Sequence, residues 1–166
     1  MIIRPETPAD IEAIDAVTIA AFKNHPFSHQ TEQFIVKALR SAGALTLSLV
    51  AELDGQVVGH IAFSPVTISD GSPNWHGLGP ISVLPEYQRQ GIGKALMQEG
   101  LSRLKALGST GCFLVGDPGY YLRFGFKNIP ELIYEGIPQE FFLALPLAEK
   151  IPQGTVVFHQ GFSATS

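Results

Sequence analysis

The stretch GPISVLPEYQRQGIGKALM, Gly79 to Met97, decides the fold. Ile81-Ser82-Val83 alternates as a strand does, Leu84-Pro85-Glu86-Tyr87 breaks it, and a helical pattern begins near Ile92. A strand, a glycine-bearing turn and a helix N-terminus together hold phosphate. The first N–H groups of a helix have no partner within it, and they lie at the positive end of its dipole. Gly91 and Gly93 carry no Cβ, so a ligand can approach the main chain closely. Arg89 and Lys94 add positive charge. Two familiar phosphate motifs fail on their own residues. The dinucleotide pattern needs glycine where Leu96 stands, and the P-loop needs glycine at Gln88 and Ser or Thr at Ala95.

What remains, Gln88-x-x-Gly91-x-Gly93, resembles the acetyl-CoA pyrophosphate loop of the GNAT family of N-acetyltransferases. That family's pattern is Gln or Arg, two residues, Gly, one residue, then Gly or Ala. The longer run Val83-x-Pro85-x-Tyr87-Gln88-Arg89-Gln90-Gly91-Ile92-Gly93 strengthens the resemblance, and so does Tyr121-x-x-x-Gly125-Phe126 further on. The resemblance implies an α+β fold: a mixed, mostly antiparallel sheet of about six to seven strands, flanked by helices and splayed between strands 4 and 5. It implies that the pantetheine arm pairs with the main chain of Ile81, Ser82 and Val83, one of whose N–H groups polarises the thioester carbonyl. Gln88, Arg89, Gln90, Gly91, Ile92, Gly93 and Lys94 would hold the pyrophosphate. Tyr121 would be the general acid. The helical register alone leaves Tyr120 in competition, and the family spacing selects Tyr121. The activity implied is transfer of acetyl from acetyl-CoA, without a metal, to a primary amine on a small molecule or peptide. The alternative is a non-catalytic acyl-CoA-binding sensor or regulatory module.

A chain of 166 residues, 45% hydrophobic and 16% charged, suits one globular domain spanning 1-166. The net charge of −4 and the lack of a basic block argue against a nucleic-acid partner. The lone Cys112 excludes an internal disulfide and lies in an apolar run, which suits packing better than reactivity. Neither a signal-peptide pattern nor an apolar run of membrane-spanning length is present, so a cytoplasmic protein is expected, monomeric or homodimeric. A hydrolase is disfavoured, because no Gly-x-Ser-x-Gly occurs.

In chain order, Met1 to Arg4 reads as a first strand. Thr7-Pro8-Ala9-Asp10 starts a helix with Ile11, Ile14, Val17 and Ala21 at helical spacing. His25 and His29 invite a metal reading, but Pro26 spoils a helical pair and no third ligand is near; with Phe27 they are better placed as an acceptor wall. Thr31 caps a second helix with Phe34, Ile35, Ala38 and Leu39 inward, closed by Gly43. Leu45 to Leu53 and Gln56 to Ile68 form a hairpin about Asp54-Gly55. Trp75 to Val83 returns antiparallel, with a bulge or splay expected at Pro80. The following helix runs to about Leu107, with a stripe of Ile92, Leu96, Gly100, Leu104 and Leu107. Gly111 to Val115 then lies parallel to the preceding strand. Later strand-like runs are Glu140 to Leu147 and Thr155 to Phe158. For the general base, Glu52, His60 and His76 lie on central strands, and the pattern selects none of them.

Overall fold

The computed structural model describes residues 1–166. Its strands are β1 (Ile2–Pro5), β2 (Leu47–Leu53), β3 (Gln56–Ile68), β4 (Trp75–Val83), β5 (Gly111–Val115), β6 (Leu132–Ile133), β7 (Phe142–Pro146) and β8 (Gly154–Phe158). The helices are α1 (Ile11–Phe22), α2 (Glu32–Ser41), α3 (Ile92–Ala106) and the single turn α4 (Pro118–Tyr121). The main sheet runs β1-β2-β3-β4-β5-β7, and β8 pairs with both β3 and β6. Neighbours are antiparallel except β4 with β5 and β6 with β8, which are parallel. The sheet thus has eight strands rather than six or seven. The strand not foreseen is β6, too short to leave a period in the sequence; β8 answers to the strand-like run at Thr155 to Phe158, and it joins the sheet through the far end of β3.

Local chemistry accounts for most of the boundaries. Asp54 and Gly55 both take positive φ, +50° and +78°, as a two-residue hairpin turn requires. The Asp10 carboxylate accepts from the Thr7 N–H at 2.7 Å and hydroxyl at 3.1 Å, so the entry to α1 is capped; its first turn, Pro8–Asp10, is a 3-10 helix. Thr31 stands at the N-cap of α2 but its side chain makes no capping bond. The inward face of α2 is Ile35, Val36 and Leu39 rather than the Phe34 side. On α1, Ile14, Val17 and Thr18 are buried while Ile11 stays exposed. On α3, Ile92, Leu96, Met97, Gly100 and Leu104 are buried, and Leu107 lies beyond the helix end in solvent.

The helices cover opposite faces of the sheet. Helix α3 packs Ile92, Leu96, Met97 and Leu104 onto Ile61, Phe63, Leu78, Cys112 and Leu114. On the other face, α1 and α2 pack Ile14, Val17 and Val36 onto Val50 and Val57. The register of β3 with β4 shifts where Gly79-Pro80 stands opposite Ala62, which is the irregularity the proline demands. Strand β4 pairs with β5 only over Trp75, His76 and Gly77. Beyond Gly77 the two strands separate, and the rest of β4 has a partner on the β3 side alone.

Candidate active site

The wedge between β4 and β5 is the centre of the site. Leu84 donates its N–H to Val58 O of β3 at 2.9 Å. Main-chain groups alternate in direction along an antiparallel ladder, so Ser82, two residues back, also faces β3. Its partner there is His60. Ile81 and Val83 therefore turn their N–H and C=O groups toward the wedge. Of the three residues expected to line the gap, these two offer main chain to it, and Ser82 sends its side chain into the buried face beneath α1.

At the wide end of the wedge the chain turns through a 3-10 segment, Pro85–Tyr87, into α3. Gln88 donates from Nε2 to Val83 O at 2.9 Å, and Gln90 donates to Glu86 O at 3.2 Å. Both carboxamides brace the loop rather than face outward. Arg89 holds φ at +63°, unusual for a non-glycine residue, and Gly91 at +88° is the N-cap of α3. A Cβ on Gly91 would meet nothing within 4 Å, so the space over it is open. The first bond of the helix runs from Ala95 N–H to Gly91 O. The N–H groups of Ile92, Gly93 and Lys94 have no acceptor in the chain, and no side chain caps them. The side chains of Arg89 and Lys94 form no ion pair. Unpaired N–H groups, adjacent cations and open space suit a diphosphate.

The opposite bank is α4. Asp117 caps it by accepting from Gly119 N–H at 2.9 Å. The Tyr121 ring lies over Gly116 at the end of β5, so close that a Cβ there would fall 2.5 Å from its Cε2. It packs edge-on against Tyr120 and Phe126, with centroids 4.9 Å and 6.3 Å away. Burial, with smaller effects from Tyr120 and Asp117, pushes the Tyr121 phenol up to about 12. Gly125 adopts φ +93°, which lets the chain turn from α4 into the buried Phe126. Cys112 is fully buried in the α3-facing core, and burial pushes its thiol pKa up.

The three candidates for a base are separated by the fold. Glu52 sits on β2 and pairs with Arg4 at 3.1 Å, two strands from the wedge. His76 bonds through Nδ1 to the Ser109 hydroxyl at 2.8 Å, at the closed end of the β4–β5 pair. His60 is sealed from solvent; its Nε2 bonds the Ser48 hydroxyl at 2.8 Å. Ser48 in turn donates to Glu6, which holds Arg40 through two bonds of 3.0 Å. His60 Nδ1 and the hydroxyls of Ser64 and Ser82 are buried without a protein partner. Nothing in the sequence pattern distinguished this polar seam from ordinary strand positions. His25 accepts from Phe27 N–H within the α1–α2 loop, and the fold assembles no group of three or more His, Cys, Asp or Glu side chains about it.

A splayed strand pair with an uncapped helix N-terminus on one bank and a tyrosine on the other is the arrangement expected of an acyl-CoA transferase. The acetyltransferase (GNAT) family model matches residues 13–126, and the chain belongs to that family. It is 41% identical over 128 residues to the uncharacterized N-acetyltransferase YhbS of Escherichia coli K12, covering 76% of this chain and 74% of that one. The crystal structure of YhbS in complex with CoA superposes with a TM-score of 0.90 over 99% of this chain and 93% of that one, at 34% identity over this wider span. A GNAT family acetyltransferase from Brucella melitensis, solved with acetyl-CoA, superposes with a TM-score of 0.87 at 51% identity over 97% of each chain.

Proposed function

We propose that this protein transfers an acetyl group from acetyl-CoA to a primary amine, with Tyr121 as the general acid. The observation that carries the reading is the wedge itself. Its β4 bank ends in the unpaired N–H groups of α3, and its β5 bank ends under the Tyr121 ring. Ile81 and the N–H of Val83, whose carbonyl is taken by Gln88, line the pantetheine path, and Ile92, Gly93 and Lys94 hold the diphosphate with Arg89. An N–H of Ile81 or Val83 aimed into the wedge stabilises charge gathering on the thioester oxygen. Tyr121 keeps its proton across the working pH range and gives it to the departing thiolate. A phenol near 12 is a weak acid for a free thiol of reference pKa about 8.5. The same burial disfavours the thiolate, so the mismatch inside the wedge is smaller than the reference values imply.

The acceptor is a small-molecule or peptide amine, entering past the α1–α2 loop where His25, Phe27 and His29 stand. Phe27 is 87% exposed there, with nothing in the chain to cover it. The enzyme acts in the cytoplasm as a monomer or homodimer; no helix is long and apolar enough to cross a membrane.

Calorimetric titration with acetyl-CoA, with NAD and ATP as controls, tests this reading. Binding in the micromolar range to acetyl-CoA alone supports it, and thiol release against a panel of amines then identifies the acceptor. No binding to acetyl-CoA would overturn it.

A further inference from the structure

Tyr120 and Tyr121 are consecutive on α4, so their side chains leave the helix about 100° apart. Tyr121 turns to the end of β5. Tyr120 turns across the wedge to the first turn of α3, where its hydroxyl lies 3.4 Å from the position a Cβ on Gly93 would take. That hydroxyl makes no hydrogen bond within the chain, although the unpaired N–H groups of Ile92, Gly93 and Lys94 lie on the same turn. Arg123 fixes the ring from the other side. Its Nε donates to Tyr120 O at 3.0 Å, and its guanidinium carbon lies 4.6 Å from the ring centroid. Arg123 has no carboxylate partner, so its remaining N–H groups and its charge are uncommitted.

We propose that Tyr120 is a diphosphate-binding residue: its hydroxyl donates to a phosphate oxygen held at the first turn of α3, with Arg123 as the positioning residue stacked on its ring. The inference rests on the acetyl-CoA reading above and divides the two tyrosines between the ends of the cosubstrate. A hydroxyl donor beside a helix turn with three unpaired N–H groups suits an acceptor-only, multiply charged group. It does not suit a neutral amide, which would bring donors of its own. The absence of a side chain on Gly93 keeps the hydroxyl close to the helix main chain.

The test is titration of wild-type protein and Tyr120→Phe with CoA, with phosphorus NMR of the bound ligand. Phenylalanine keeps the ring, its contact with Tyr121 and its stack with Arg123, and removes the hydroxyl alone. A hydrogen bond to a charged group predicts roughly tenfold or greater loss of CoA affinity. The diphosphate resonances of bound CoA should shift between the two proteins while the 3′-phosphate resonance stays in place. Equal affinity for CoA in both proteins, or a change at the 3′-phosphate alone, overturns the assignment of Tyr120 and leaves the acetyl-CoA reading standing. Wild-type protein that does not bind CoA overturns both.

Discussion

Tyr121 is the residue whose removal most directly separates binding from chemistry. Its ring contributes packing against Phe126 and Tyr120, and its hydroxyl makes no bond in the chain, so Tyr121→Phe preserves the fold. With the amine that the panel identifies, turnover should fall by about 10²–10⁴ while acetyl-CoA affinity changes little, as loss of a general acid requires. Unchanged turnover would remove the phenol from the mechanism. His60 makes a different prediction. Burial lowers its pKa to about 4, while Glu6 pulls it up and Arg40 pushes it down. The unfolded chain, with histidine near its reference pKa of about 6.5, binds the extra proton first. Stability is therefore lost as pH falls from about 6.5 toward 4. Glu6 is raised by burial but brought below its ordinary value by Arg40 and Ser48, so its own loss begins lower, below about 4.5. Urea unfolding should show a drop on the order of 2 kcal/mol between about pH 6.5 and 5. The dependence should be shallower in His60→Gln, whose amide can still meet Ser48. An equal slope in the two proteins would assign the acid sensitivity elsewhere. The glycine-bearing turn into α3 was legible from residue type and spacing. The His60 seam was not, because a buried histidine on a strand looks like any other strand residue until its neighbours are known.

Helix α3 is where element-scale packing overrides local preference. Gly100 lies in its interior, where alanine would ordinarily gain about 1 kcal/mol in helix propensity. A Cβ there would fall 2.7 Å from Cε2 and 2.9 Å from Cζ of Phe63, whose ring is fully buried in the core between α3 and the sheet. Overpacking of this kind costs about 1–3 kcal/mol, so it outweighs or cancels the propensity gain. Gly100→Ala should lower the melting temperature by a few degrees, on the scale of about 2–4 °C per kcal/mol for a chain this size. A clear rise in melting temperature would show that Phe63 yields freely. The glycine was readable as part of the apolar stripe, and this contact explains why the stripe carries no side chain at that point. The bulge of β4 against β3 was legible for a related reason, since Pro80 cannot donate to a ladder. The difference between Ile81 and Val83 on one side and Ser82 on the other depended on the hydrogen-bond phase. That phase is set by the bulge at Gly79-Pro80, not by the alternation of side chains.

At the scale of the molecule, the C-terminal segment fastens the two halves of the sheet. Strand β8 pairs Val156, Val157 and Phe158 with Ile68, Thr67 and Val66 at the far end of β3, beyond the part of β3 that holds β2. The Phe158 ring lies directly on Gly77, at the point where β4 and β5 part. It also meets Tyr134 and Phe162, with centroids 5.1 Å and 5.0 Å away. The chain then turns through Gln160–Ser163 and lays Phe162 and Gly161 against Leu39 of α2. A strand-like run at Thr155 to Phe158 was visible in the sequence. Its partner was not, because pairing with the end of a strand nearly ninety residues earlier leaves no local period. The family model matches residues 13–126, so β8 itself lies beyond the matched span. It is nevertheless part of the cooperative core, since Phe158 packs with Trp75, Phe113 and Phe142 in one buried cluster. Phe158→Ala should cost about 3–5 kcal/mol in denaturant unfolding, as for other buried aromatic truncations. Truncating the partly buried Phe162 should cost less. The folded fraction of Phe158→Ala should still bind acetyl-CoA, because the unpaired N–H groups of α3 lie at the other end of β4. A loss below about 1 kcal/mol would show that β8 frays independently and that β3 and β4 hold the wedge open without it.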